Sequence, residues 1–248
     1  MPTDLTECVA LVTGSAHRVG KAIAVELARR GVNIMVHYNS ADDDTVRETL
    51  QEIRTHGVDA FARQADISTE AGVASLFDSL QQHFSRLDIL VNSASTFTGN
   101  RLMDVTLADW HKSMSVNVTA PLLCTQAAVR LMRENSPPGG SIVNILDYGA
   151  VRPWPQRVDH GISKAALAML TEVSALSLGA ENIRVNGVLP GPVLKAPGMS
   201  DENWERTGEA TALNRTGSAE DVARAVAYLV SEDFISGTVL HVNGGEHL

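Results

Sequence analysis

Val9-Ala10-Leu11-Val12-Thr13-Gly14-Ser15-Ala16-His17-Arg18-Val19-Gly20-Lys21-Ala22-Ile23-Ala24 is the stretch whose reading decides the fold. Four apolar residues in a row, a turn of small residues with Gly14 and Gly20 at its ends, and Ile23 and Leu27 at helical spacing read as buried strand, tight turn and helix. Such a turn aims backbone N–H groups and a helix N-terminus at one point, so Gly14, Ser15, Arg18, Val19 and Gly20 form a candidate phosphate seat. The same residues also suit a sharp strand-to-helix connection without a ligand, where Gly supplies a positive φ. The place of the turn ahead of a chain that keeps alternating strands and helices favours the phosphate seat.

The alternation continues to the end. The first helix runs to about Arg29-Arg30 and Gly31 closes it; Val32 to His37 is a strand, and Asp43 to His56 a helix with Val46, Leu50 and Ile53 on one face. Val58 to Gln64, Leu87 to Val91, Ser141 to Leu146, Ile183 to Leu189 and Thr238 to Val242 add five strands. Between them lie a helix with Val73, Leu76, Phe77, Leu80 and Phe84 inward, and others over 106–132, 165–178 and 219–231. The pattern predicts one domain, 1–248: an α/β fold with a doubly wound, mainly parallel seven-stranded Rossmann-type sheet and helices on both faces. Residues 193–213, with Pro197, Gly198 and mixed polarity, read as a mobile substrate loop.

With 248 residues, 44% of them hydrophobic, the chain can bury one sizeable core, and no repeat or Pro-rich linker divides it. A net charge of −9 argues against nucleic acid or an anionic membrane surface as partner. Cys8 and Cys124 are too few and too unpatterned for a disulfide framework or a metal site. The chain reads as having no signal peptide and no long apolar span, which predicts a soluble, cytoplasmic protein.

In open α/β sheets the strands' carboxyl ends hold the ligand. The second strand ends in His37-Tyr38-Asn39-Ser40, with no acid before Asp42 and with Arg18 in the neighbouring turn. An acid there would bind the ribose 2′-hydroxyl of NAD, whereas Arg and neutral donors such as His37, Asn39 and Ser40 suit the 2′-phosphate of NADP(H), so NADP(H) is the expected cofactor. Arg18 can also be read as a solvated surface residue. Asp66, beside Ile67, can accept from the adenine amino group or can cap the next helix. The fourth strand runs into Asn92-Ser93-Ala94-Ser95.

Thr13-Gly14 through Gly20, Asp66, Asn92-x-Ala94, Asn117, Lys164 and Pro190-Gly191 together resemble the short-chain dehydrogenase/reductase family over essentially the whole chain. The family's usual turn has a third Gly where this chain has Arg18. That form, and Ser95-Thr96-Phe97 after the fourth strand, are similar to the NADPH-dependent pteridine reductase branch, in which an aromatic at this place stacks on a flat substrate. Phe97 also reads as a core residue. The resemblance implies that Asn117 bends its helix and holds a water linked to the catalytic Lys164, and that Pro190-Gly191-Pro192-Val193 covers the nicotinamide.

His160 and Lys164 are four residues apart and so share one helix face. The family's motif is Tyr-x-x-x-Lys with a Ser thirteen residues earlier; here His160 stands in place of the Tyr and Asp147 in place of the Ser. Asp147 matches the pteridine reductase branch, and His160 departs from it. Substrate contacts are expected from Ser95, Phe97 and Asp147, and proton transfer from His160 or Asp147, with a neutral imidazole unless Asp147 lies close enough to offset Lys164. The competing expectation is an NADP-binding pseudoenzyme. The apolar helices at 106–132 and 165–178 resemble those that pair across subunits in the family, which implies a homotetramer acting on a small-molecule substrate.

Overall fold

A computed structural model describes residues 4–196 and 198–248; Pro197, read above as part of a loop, lies outside the described residues. The chain alternates as expected: β1 (Val9–Val12), α1 (Arg18–Ala28), β2 (Asn33–Tyr38), α2 (Asp43–Arg54), β3 (Ala60–Gln64), α3 (Glu70–Phe84) and β4 (Ile89–Asn92) form the first half. The second half holds α4 (Leu107–Met114), α5 (Ala120–Glu134), β5 (Gly140–Ile145), α6 (Val158–Leu178), β6 (Ile183–Pro190), α7 (Asp201–Glu209), α8 (Ala219–Ser231) and β7 (Val239–Val242). The seven strands lie in the order β3-β2-β1-β4-β5-β6-β7, and every pair is parallel.

Alternate residues of each strand serve two separate cores. Ala10, Val12, Ile34, Val36, Ile89 and Val91 face the layer of α1 and α8, where Ile23, Leu27, Val222 and Val226 are buried. Val9, Leu11, Met35 and Leu90 face the opposite layer, with Leu76 and Leu80 of α3 and Cys124 and Ala128 of α5. Both faces being covered explains why the central strands read as continuous apolar runs.

Three local features differ from the sequence reading. The long helix expected over 106–132 is broken by a π-helical turn, Ser115–Thr119, between α4 and α5. Residues 194–213 are not all loop, because α7 forms within them, its N-cap Ser200 accepting from the Asn203 N–H. And α6 with its flank, Val158–Glu181, is long and apolar enough by composition to cross a membrane, contrary to the reading of no long apolar span. Its buried Asp159, His160, Ser163, Lys164 and Thr171 instead seat it against the sheet and the site loops.

Strand order reverses between β1 and β4, the switch point at which open sheets leave a crevice beyond their carboxyl ends. Two close approaches shape that crevice. Gly14 has φ +65°, and a Cβ there would lie 2.8 Å from the Ala94 Cα. A Cβ on Gly20 would lie 2.3 Å from the Gly14 carbonyl oxygen. Only glycine admits this packing of turn, helix and neighbouring loop.

Candidate active site

The turn after β1 is tied to the loop after β4 by Thr13, whose hydroxyl oxygen accepts from the backbone N–H groups of Ser93 and Ala94 at 3.0 Å each. Arg18 opens α1 with φ +57° and an exposed side chain, occupying a left-handed position that usually favours glycine. Val19 and Gly20 follow in the first helical turn, where N–H groups have no carbonyl one turn back. These features make a cradle that fits a dinucleotide's phosphates. At the end of β2, Asn39 and Ser40 are exposed. Asp42, the first acid after the strand, caps α2: its two carboxylate oxygens accept from the Thr45 N–H at 2.8 Å and the Thr45 hydroxyl at 3.0 Å. Asp42 is thereby committed to its cap.

Several residues read as ligand contacts turn their polar side-chain atoms into the frame. Ser15 is buried, its N–H donating to the His37 carbonyl at 2.9 Å and its hydroxyl to the Val12 carbonyl at 2.6 Å. His37 is also buried: Nδ1 accepts from the Gly14 N–H at 3.1 Å and Nε2 donates to the Ala65 carbonyl at 3.0 Å, which fixes the neutral tautomer. Burial pushes its pKa down, against smaller opposing effects of Ala65 and Asp66. His37 therefore braces the phosphate turn from beneath rather than facing the crevice. Asn92 donates to Asn144 Oδ1 at 2.8 Å, and Asn144 in turn to the Thr171 hydroxyl at 2.9 Å, a buried chain joining β4, β5 and α6. Ile67 is a core residue of the α3 layer. Asp66 accepts from the Ser68 N–H and hydroxyl through Oδ1, which lowers its pKa, and remains exposed at the crevice rim. Across the crevice, Pro190 and Val193 are buried, and Gly191 packs so tightly on Asn243 that a Cβ would lie 2.6 Å from the Asn243 Cβ.

The centre of the site is Asn117. It sits in the π-helical turn, fully buried, and its Oδ1 accepts from the Thr96 N–H at 2.9 Å and the Ser95 hydroxyl at 3.0 Å. Its Nδ2 donates to the Thr96 carbonyl at 3.1 Å and the Ser163 hydroxyl oxygen at 2.9 Å. The Thr96 N–H can only donate, so the orientation of the amide is fixed by the backbone. The extra residue of the π turn aims this side chain at α6, and the break in the helix is the price of that aim.

His160, in the first turn of α6, is buried at 1% exposure. Its Nδ1 lies 2.9 Å from the Thr96 carbonyl oxygen and its Nε2 is in hydrogen-bond contact with Asp147 Oδ2. A carbonyl can only accept, so Nδ1 carries a proton, and a second proton lies between Nε2 and the carboxylate. Asp147 thus meets the condition of lying close to His160, and the two groups share that proton. Burial pushes the Asp147 carboxyl up, but the His160 hydrogen bond, the Lys164 charge and the Gly149 N–H on Oδ1 outweigh it and hold it below its ordinary value. Lys164 is buried one turn along α6, with Nζ donating to the Ile145 carbonyl at 2.8 Å; burial pushes its pKa down and Asp147 opposes the shift.

Phe97 is not a core residue. It is 54% exposed, its ring edge-on to His160 with centroids 4.7 Å apart. Residues that the sequence reading passed over complete the surroundings. Asp159, fully buried, accepts from the hydroxyls of Thr98 at 2.6 Å and Ser113 at 2.5 Å, tying the Phe97 loop and α4 to the start of α6. Glu246 brings a buried Oε2 to Gly191, where burial and the Asp147 charge push its pKa up. Its sequence signal, an acid two residues from a weakly patterned C-terminus, was too slight to read.

The family model described as enoyl-(acyl carrier protein) reductase matches residues 14–247. The chain is 35% identical to glucose 1-dehydrogenase 2 of Bacillus subtilis, over 99% of this chain and 96% of the relative. It is 32% identical to the 3-oxoacyl-(acyl-carrier-protein) reductase FabG of Staphylococcus aureus, over 96% and 98% respectively. Among solved structures, a short-chain dehydrogenase/reductase from Serratia marcescens superposes with a TM-score of 0.92 at 32% identity, over 99% of this chain and all of that one. A blue fluorescent protein from a metagenomic library, solved in complex with NADPH, superposes at 0.90 with 33% identity, over 99% of this chain and 100% of the other. Taken with the parallel sheet, the glycine cradle at its switch point and the Lys164-bearing helix beside it, these matches place the chain in the short-chain dehydrogenase/reductase family of nicotinamide-dependent oxidoreductases.

Proposed function

We propose that the chain is an NADPH-dependent reductase acting on the carbonyl or imine of a small, planar, pteridine-like molecule, with the His160–Asp147 pair as proton donor. One observation carries this reading: His160, buried between an obligate acceptor and a carboxylate, holds a transferable proton one helical turn from a buried lysine. When bound, the reduced nicotinamide supplies the hydride. Asn117 holds both the N–H and the carbonyl of Thr96 and so fixes the acceptor that positions His160. The nearby positive charge of Lys164 favours departure of the proton toward an oxygen gaining negative charge. Phe97 offers the flat wall, and Arg18, Asp147 and Phe97 together are the features shared with the pteridine reductase branch.

A second reading has its own observation. The polar atoms of Asp147 and His160 are engaged with one another, with Gly149 and with Thr96, the pattern of a self-satisfied pair in an NADP-binding pseudoenzyme. Two measurements test the proposal together. Because Arg18 can meet a 2′-phosphate while Asp42 is held in its cap, NADPH should bind at least about tenfold more tightly than NADH, since a charge-assisted contact is worth roughly 1.5–3 kcal/mol. Equal affinities by fluorescence titration would refute that assignment. NADPH oxidation over pterins, quinones, diketones and ketoacyl esters should be fastest with the flat cyclic compounds, and NADPH binding without turnover on any of them would favour the pseudoenzyme.

The same reading includes a homotetramer. The outer face of α6 exposes Ile162, Met169, Val173 and Leu176, and a separate patch carries Tyr228 and a fully exposed Phe234. Two distinct apolar surfaces fit the two interface types of a closed tetramer with dihedral symmetry. Light scattering at micromolar concentration should return four times the chain mass, and a monomer would rule the assembly out.

A further inference from the structure

We infer that the mouth of this site selects substrates bearing a carboxylate or comparable anionic group on a flat aromatic body, and that Arg157 recognises the charge. The inference rests on the reading of the crevice as the substrate site of a reductase, and adds the class of molecule it takes.

Arg157 is the residue from which α6 starts. Its guanidinium carbon lies 3.8 Å from the centroid of the Phe97 ring and 5.2 Å from that of Trp154, and one N–H donates to the Thr98 carbonyl at 2.9 Å. Two aromatic faces and a carbonyl thus hold the group in place, and a guanidinium has five N–H donors, of which Thr98 takes one. The side chain is half-buried, so its charge acts through a medium less screening than bulk water. Burial pushes its pKa down and the Asp147 charge opposes the shift, which keeps a cation at the mouth of the site.

The position of this cation relative to the proton-transfer pair makes it a selector. Phe97 touches both: its face is under Arg157 and its ring stands nearly perpendicular to that of His160. A molecule with its reacting carbon beside Asp147, the more open member of the pair, and its ring along Phe97 and Trp154 carries its far substituent toward the guanidinium. Aromatic residues make up only 4% of the chain, yet Phe97, Tyr148 and Trp154 stand together here. Arg152 adds a second guanidinium, donating to the Tyr148 hydroxyl oxygen at 2.8 Å. In a chain of net charge −9, whose overall field repels anions, two arginines are gathered at this one aromatic mouth. A neutral sugar or steroid offers these cations no opposite charge to pair with.

Calorimetric titration of the NADP⁺-saturated protein with 2-naphthoate and 2-naphthamide, alike in shape and different in charge, tests this. Naphthoate should bind at least about tenfold more tightly at low salt, with the margin shrinking as salt rises. Arg157→Gln should bring the two within about twofold by weakening naphthoate alone. Equal affinities in the native protein, a preference that survives Arg157→Gln, loss of both ligands in that variant, or failure of either compound to bind at millimolar concentration would each overturn the inference. Because the readout is binding, the two ideas fail separately: a naphthoate preference without turnover of any carbonyl compound defeats the reductase reading and leaves the anion preference standing.

Discussion

Replacing His160 with Ala should lower turnover of the best carbonyl substrate by about 10²- to 10⁴-fold, the usual contribution of a positioned acid, with NADPH affinity unchanged. The expectation follows from the proton held between Nε2 and Asp147 Oδ2. Reduction consumes that proton, so the protonated pair is the active form for reduction and the pair without it for alcohol oxidation. Asp147 does not set the acid limit near neutrality, because its folded value lies below the ordinary 3.8. A depressed carboxylate contributes its stability above the unfolded value and loses it only as pH falls through the folded one. Profiles from about pH 5 to about pH 9 for the native chain, His160→Ala and His160→Tyr are decisive. Full activity in the Ala variant removes His160 as donor, and activity in the Tyr variant alone establishes the pseudoenzyme.

Asn117→Ala should be nearly as damaging, by a different route. Truncation takes the one partner of the Thr96 N–H and one of the partners of the Thr96 carbonyl and of the Ser95 and Ser163 hydroxyls, in a place where the side chain is fully buried. A buried donor left unpaired, here the Thr96 N–H, costs roughly 1–3 kcal/mol. In a chain of this size that corresponds to a melting temperature lower by roughly 2–12 °C. Turnover should fall as well, because the Thr96 carbonyl no longer holds the imidazole in register. A melting temperature within about a degree of the native protein would mean that water replaces all four bonds.

How much of this was readable from the residues depends on whether a signal repeats. The strands announced themselves as apolar runs because two cores claim alternate residues, and Gly31 and Gly57, with φ +84° and +79°, ended the helices before them. His160 and Lys164 shared a helix face by their spacing, Asp147 was picked out by the resemblance to the family's motif, and the structure brings the three together. His37 was misread because a polar residue at a strand end looks the same whether its ring points to ligand or to the turn beneath. The π turn hid inside an otherwise helical period, although an Asn amid Ser115-Val116-Val118 marked it. Helix α7 escaped for want of an apolar stripe, despite Ser200, Asp201 and Glu202 marking its start. Arg157 and Trp154 belong to a segment without periodicity, where only three-dimensional proximity reveals a site.

The order of strands also governs how the chain can be made. Val9–Val12 hydrogen-bonds on one side to β2, synthesised soon after it, and on the other to β4, about eighty residues downstream. Until Ile89–Asn92 leaves the ribosome, the middle of the future sheet is an open edge of unpaired backbone, flanked by apolar side chains whose second covering helix, α5, comes later still. Closing that gap demands a long-range encounter that no local hairpin can prepare. The nascent N-terminal third is therefore the aggregation-prone stage of biosynthesis, and the species that a chaperone would have to shield.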